Sequence, residues 1–162
     1  MRLRTDNPWL QAVLLGVGLF VVSLLLRAVA NTVVGVTTAG PGVPDQVAEA
    51  RDALSRFGYG LLWGVVLPAV VETPFVVWCV RRVRRDERSI ALWVMIGSLS
   101  ALVWLLHGAS PGSLGQAAAF ALMSYAAWGW ARRLDRLHAY VLPTLSHAVW
   151  NGIGLALFMI RD

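Results

Sequence analysis

Long apolar runs alternate along this chain with short, strongly basic connecting segments. Five windows, Trp9–Ala28, Phe57–Val80, Ser89–His107, Leu114–Ala131 and Ala139–Ile160, hold few charges, and the segments between them hold nearly all the others. Each window is long enough to approach or exceed the ~30 Å of a bilayer's hydrocarbon core. In lipid the backbone N–H and C=O groups have to pair within the segment, and no ten-residue alternating pattern marks a barrel strand, so each window is expected to be a helix. The pattern therefore predicts an all-α integral membrane protein, a bundle of about five transmembrane helices forming a single membrane domain over residues 1–162.

Composition agrees with this. The chain is 57% hydrophobic and 14% charged, with a mean hydropathy of +0.63, which leaves too little polar material to cover a soluble domain. The basic residues are all Arg. Arg2 and Arg4, then Arg81, Arg82, Arg84, Arg85 and Arg88, then Arg132, Arg133 and Arg136 fall on one side of a five-span arrangement. By the positive-inside tendency that side is cytoplasmic, which puts the N-terminus inside and the C-terminus outside a cell (inner) membrane. The opposite side receives a loop over Thr37–Arg56 and a turn over Gly108–Ser113. The arginine clusters set topology and attract anionic membrane lipid; nothing in them points to nucleic acid. The first run, with Ala28-Val29-Ala30 after it, also reads as a signal peptide. Its length, and Arg27 just before that tripeptide, favour a retained anchor. Cys79, the sole cysteine, excludes an internal disulfide and reads as a small buried hydrophobe. Gly60 with Gly64, and Gly152 with Gly154, would allow close helix approach.

Glu72 is the only acidic residue inside any of the five windows. A charged side chain at the bilayer centre costs at least about 2.5 kcal/mol, so Glu72 is either a protonated or hydrogen-bonded link between helices, or a general base, proton carrier or metal ligand. His147 and Asn151 stand four apart on the last window, on one face of a helix and one turn apart. Pro143 removes a backbone donor just before them. His107 ends the third window beside Gly108, placed either toward the bundle or at the interface. His138, near Arg136 and Tyr140, reads as interfacial.

The order of these elements resembles the CPBP family of CAAX proteases and bacteriocin-processing or abortive-infection proteins. That pattern is Glu-Glu-x-x-x-Arg, then Phe-x-x-x-His, then His-x-x-x-Asn on separate helices of a four-helix core, and the likeness runs from about Gly58 to Phe158. His147 and Asn151 match the third motif in full. His107 matches the second, with Val103 where the aromatic residue stands and Trp104 one place later. Aligning Phe75 with the aromatic residue usual in the first motif puts Val71 on the first Glu, Glu72 on the second and Val76 on the Arg. A one-residue shift instead puts Glu72 first, Thr73 second and Val77 at the Arg.

The resemblance implies catalytic roles for Glu72, His107, His147 and Asn151: Glu and His to activate water, His and Asn to hold the oxyanion. Glu72, His107 and His147 are also candidate ligands for a divalent metal such as zinc. The implied activity is hydrolysis of a peptide bond in a membrane-associated substrate. The alternative is a non-catalytic, protease-like scaffold or binding subunit of a membrane-protein complex, and a proton relay in a small transporter is a third reading. One geometric expectation runs against convergence. Along straight helices Glu72 and His147 lie roughly 12 to 14 Å from the cytoplasmic ends of their spans and His107 about 27 Å from the end of its own, so the third helix is expected to be tilted, shifted or interrupted.

Overall fold

The computed structural model describes residues 7–34, 53–83 and 90–161. Over these residues the regular structure is all helical, in five long helices and short turns. α1 is Pro8–Val34. α2 is continuous through three stretches: α-helical Ala53–Tyr59, a wide π-helical stretch Gly60–Val66, and α-helical Leu67–Arg81. α3 is Ile90–Leu106, α4 Leu114–Arg133 and α5 Arg136–Arg161. Arg2, Arg4, Arg84, Arg85 and Arg88 lie outside the described residues, as does residue range 37–52 of the expected outer loop. The end of that expected loop, Ala53 to Arg56, is already the first turn of α2.

Among the described residues three helices are long and apolar enough to cross a membrane: Pro8–Val34, Leu54–Arg81 and Arg136–Ile160. These make the chain a multi-pass membrane protein by length and composition. Their outward residues support this, since Leu14, Val17, Val21, Leu24 and Leu25 of α1 are all exposed, an apolar face larger than water-soluble monomers carry. The other two expected spans differ from these three. α3 is apolar but has 17 residues, a length of about 25 Å. α4 is rich in Ala, Gly and Ser because it packs against α1, α2, α3 and α5 and so meets protein on most sides. α1 also runs past the expected end at Ala28. Arg27 does not break a helix, and the Ala28-Val29-Ala30 tripeptide lies within it.

Small residues set the closest approaches. A Cβ at Gly16 would lie 2.6 Å from the Ser146 carbonyl oxygen, so α1 and α5 touch backbone to backbone there, and a Cβ at Gly115 would collide with the Ser23 carbonyl of α1. Gly60 accommodates Leu155 of α5, whereas Gly64, Gly152 and Gly154 face open space. Polar side chains link the same helices: Ser146 Oγ donates to the Ala12 carbonyl at 2.8 Å, and Trp150 Nε1 donates to Ser23 Oγ at 3.3 Å. Between them lies a core that includes Leu19, Val77, Val80, Leu92, Phe120 and Met123.

Candidate functional site

The site is built on α2, α5 and the end of α3. α2 reaches it after its π-helical stretch, where the wider turn changes which residues face inward; such stretches recur at functional sites. Pro68 follows at the start of the next α-helical stretch and Pro74 lies within it, so the local backbone lacks two amide donors. From there Ala69, Thr73, Val76 and Val80 are buried, a 3–4 spacing that marks the inner face. Val71 is 64% exposed on the outer side, whereas Thr73 is fully buried and Glu72 lies between them, half-buried.

Thr73 Oγ1 lies 3.1 Å from His147 Nδ1. His147 is 3% exposed, with Phe120 edge-on at 5.6 Å and Trp150 tilted at 5.5 Å between ring centroids. α5 thus offers the site an imidazole held on one nitrogen by a hydroxyl and enclosed by aromatic rings. Asn151, one turn further along α5, is half-buried. No hydrogen bond to Glu72 or Asn151 forms among the described residues.

His107 sits in the turn that ends α3. Its Nδ1–H donates to the Val103 carbonyl at 2.8 Å; a carbonyl only accepts, so Nδ1 carries a proton and Nε2 is left for another partner. Gly108 N–H bonds to Leu105 O at 3.1 Å and Ala109 N–H to Trp104 O at 2.9 Å, the two bonds of a Schellman close. Both residues have positive φ, 86° at Gly108 and 50° at Ala109. Trp104 Nε1 clamps the loop by donating to the Ser110 carbonyl at 2.9 Å. Ser110 and Ser113 then cap each other's backbone amides at 3.1 and 3.2 Å, and α4 begins.

His107 is itself exposed. α3, expected to be tilted, shifted or interrupted, has no interruption, being α-helical throughout Ile90–Leu106. The irregular helix is α2. Among the described residues no three His, Cys, Asp or Glu side chains gather as a metal would require, so Glu72, His107 and His147 do not form a three-ligand set.

Sequence reasoning missed Thr73 as the partner of His147. The available signal was a hydroxyl residue in an apolar run next to the one intramembrane carboxyl. Cys79 is buried and free, as expected of a small hydrophobe. His138 lies in the first turn of α5, where its backbone N–H donates to Asp135 Oδ1 at 3.1 Å, its ring pairs with the other Asp135 oxygen, and Trp9 packs against it edge-on at 5.6 Å.

No protein-family model matches the chain, and no curated protein or solved structure matches it.

Proposed function

We propose that this is a multi-pass cell-membrane protein whose α2, α3 and α5 form an intramembrane acid–base site of the CPBP type, hydrolysing a peptide bond in a membrane-associated substrate. The observation that carries the reading is the direction of the α2 side chains. Thr73 is bonded to His147 and Glu72, the next residue, is half-buried, while Val71 faces outward. Exposure thus favours the register with Glu72 in the first acidic position and Thr73 in the second. The general base is then present.

In this reading Glu72 and the Nε2 lone pair of His107 hold a water between them. Glu72 takes its proton as the oxygen adds to the scissile carbonyl, and returns it to the amine as the C–N bond breaks. His147, fixed through Nδ1 by Thr73, and Asn151 on the same helix face supply donors to the oxyanion. Described arginines agree with a cytoplasmic end at one end of the bundle. Arg81 at the end of α2 packs near Tyr140 at the start of α5, and Trp9 at the start of α1 meets His138 there.

A second reading, a protease-like scaffold without hydrolysis, is favoured by the enclosure of His147 and by buried Val76 and Val77, either of which occupies the arginine position of the motif. Cleavage of quenched fluorescent peptides anchored in proteoliposomes separates the two. Loss of about 10²–10⁴-fold in rate on Glu72→Gln, with helical content intact, supports hydrolysis. Absence of wild-type cleavage, with partner capture unaffected by Glu72→Gln, supports the scaffold. Ion flux abolished by the same substitution would support a relay instead.

A further inference from the structure

The cytoplasmic ends of α2 and α5 enclose an open groove of about 320 Å³ lined by Trp78, Arg81, Arg82, Arg136 and Tyr140. It lies well away from Glu72, which stands nine residues before Arg81 on α2, roughly 13 Å along the axis. Three guanidinium groups line it, and two are steadied by aromatic faces: Arg82 stands 3.5 Å over the Trp78 ring and Arg81 5.7 Å from the Tyr140 centroid.

Among the described residues the charge balance in the groove is one-sided. Among the described residues the only carboxylates are Glu72 and Asp135. Asp135 is already committed to the first turn of α5, accepting from the His138 amide with one oxygen and pairing with its ring through the other. No described carboxylate is paired with Arg81, Arg82 or Arg136. Arg81 at the C-terminal end of α2 complements that helix's dipole. Arg136 does the opposite, opening α5 where a cation meets the positive end of the dipole and where an anion is favoured. Its placement gains from a bound negative group.

We propose that this groove binds the phosphate of an anionic glycerophospholipid headgroup. Guanidinium forks match phosphate oxygens geometrically. A lipid source fits better than a soluble one because α2 and α5 are both candidate spans, so their charged ends lie at headgroup depth. Trp78, exposed one turn in from the arginines, and Tyr140 are the residue types that settle at that interface. The arginines take the phosphate and Trp78 lies along the glycerol and upper acyl region.

Native mass spectrometry of the full chain in detergent tests this. Phosphatidylglycerol and phosphatidylcholine are titrated in parallel, and glycerol 1-phosphate serves as the soluble competitor. The expected result is preferential retention of phosphatidylglycerol. Arg81→Gln, Arg82→Gln and Arg136→Gln should each weaken it about five-fold, while Arg133→Gln, at the exposed end of α4 and outside the groove, leaves it unchanged. Circular dichroism confirms that each variant is folded. Equal weakening by Arg133→Gln, equal retention of the two lipids, or displacement by millimolar glycerol 1-phosphate would each overturn the proposal, the last by assigning the groove to a soluble phosphate ester.

Discussion

Thr73 on α2 and His147 on α5 are joined by a 3.1 Å contact between hydroxyl and ring nitrogen, buried from solvent on both sides. A lone imidazole nitrogen in an apolar bundle would carry an unmet polar group, and the threonine meets it. Removing the hydroxyl therefore exposes a cost rather than a simple loss of contact. Thr73→Ala should destabilise the protein by about 1–3 kcal/mol in reversible unfolding in bicelles, and Thr73→Ser should recover most of it. Equal stability of Thr73→Ala and the parent would show that His147 finds another partner.

Glycine contacts predict a second set of stabilities. Gly16→Ala places its methyl against the Ser146 carbonyl and Val149, and Gly115→Ala against the Ser23 backbone, so helices have to separate; Gly18 faces open space. Each of the first two should cost about 1–3 kcal/mol. Gly18→Ala should be neutral or slightly stabilising through better helix propensity. Similar losses at all three would contradict the packing described.

The first turn of α5 carries the pH dependence. The backbone amide of His138 beside Asp135, followed by the His138 side chain, holds the Asp135 carboxyl below its ordinary range. A lowered native pKa means that the stabilisation is complete above the unfolded value, about 3.9, and is lost as pH falls through the lower native value. Hydrogen exchange at the His138 amide should be flat from pH 7 to about 5 and lose protection in stronger acid, once intrinsic rates are corrected. Asp135→Asn should flatten that acid limb, and an unchanged limb would refute the assignment.

The loop that follows His107 is tied back to α3 by an indole bond from Trp104 to the Ser110 carbonyl, beside the Schellman close and the Ser110–Ser113 box. Trp104→Phe keeps the ring and deletes the donor, which should cost about 1 kcal/mol and raise exchange at the Ser113 amide. No change there would mean that the Schellman close and the Ser110–Ser113 box suffice alone.

Helix positions were legible because the apolar runs and arginine clusters are the two features a bilayer imposes most strongly on a sequence. The windows centred on α2, α3, α4 and α5 lie within a few residues of the observed helices. α1 runs six residues past the expected end at Ala28, to Val34. Orientation about each axis was harder to read. α2 is apolar on its lipid face and on its core face alike, so Val71 outward and Thr73 inward left no contrast in the pattern. The π-helical stretch was hidden for a related reason: it accompanies the packing of Leu155 onto Gly60, a contact between residues 95 positions apart. Glu72, His107, His147 and Asn151 were found by chemical type, yet the partner of His147 proved to be the neighbour of the carboxylate rather than the carboxylate itself.

If Glu72 and His107 act on one water, their contributions to rate are not independent. The decisive measurement is a double-mutant cycle on peptide cleavage in proteoliposomes, with Glu72→Gln, His107→Ala and the pair. The double variant should be about as slow as the slower single variant, some 10²–10⁴-fold below the parent. Losses that multiply, or a parent protein that cleaves nothing, would contradict a shared water at this site.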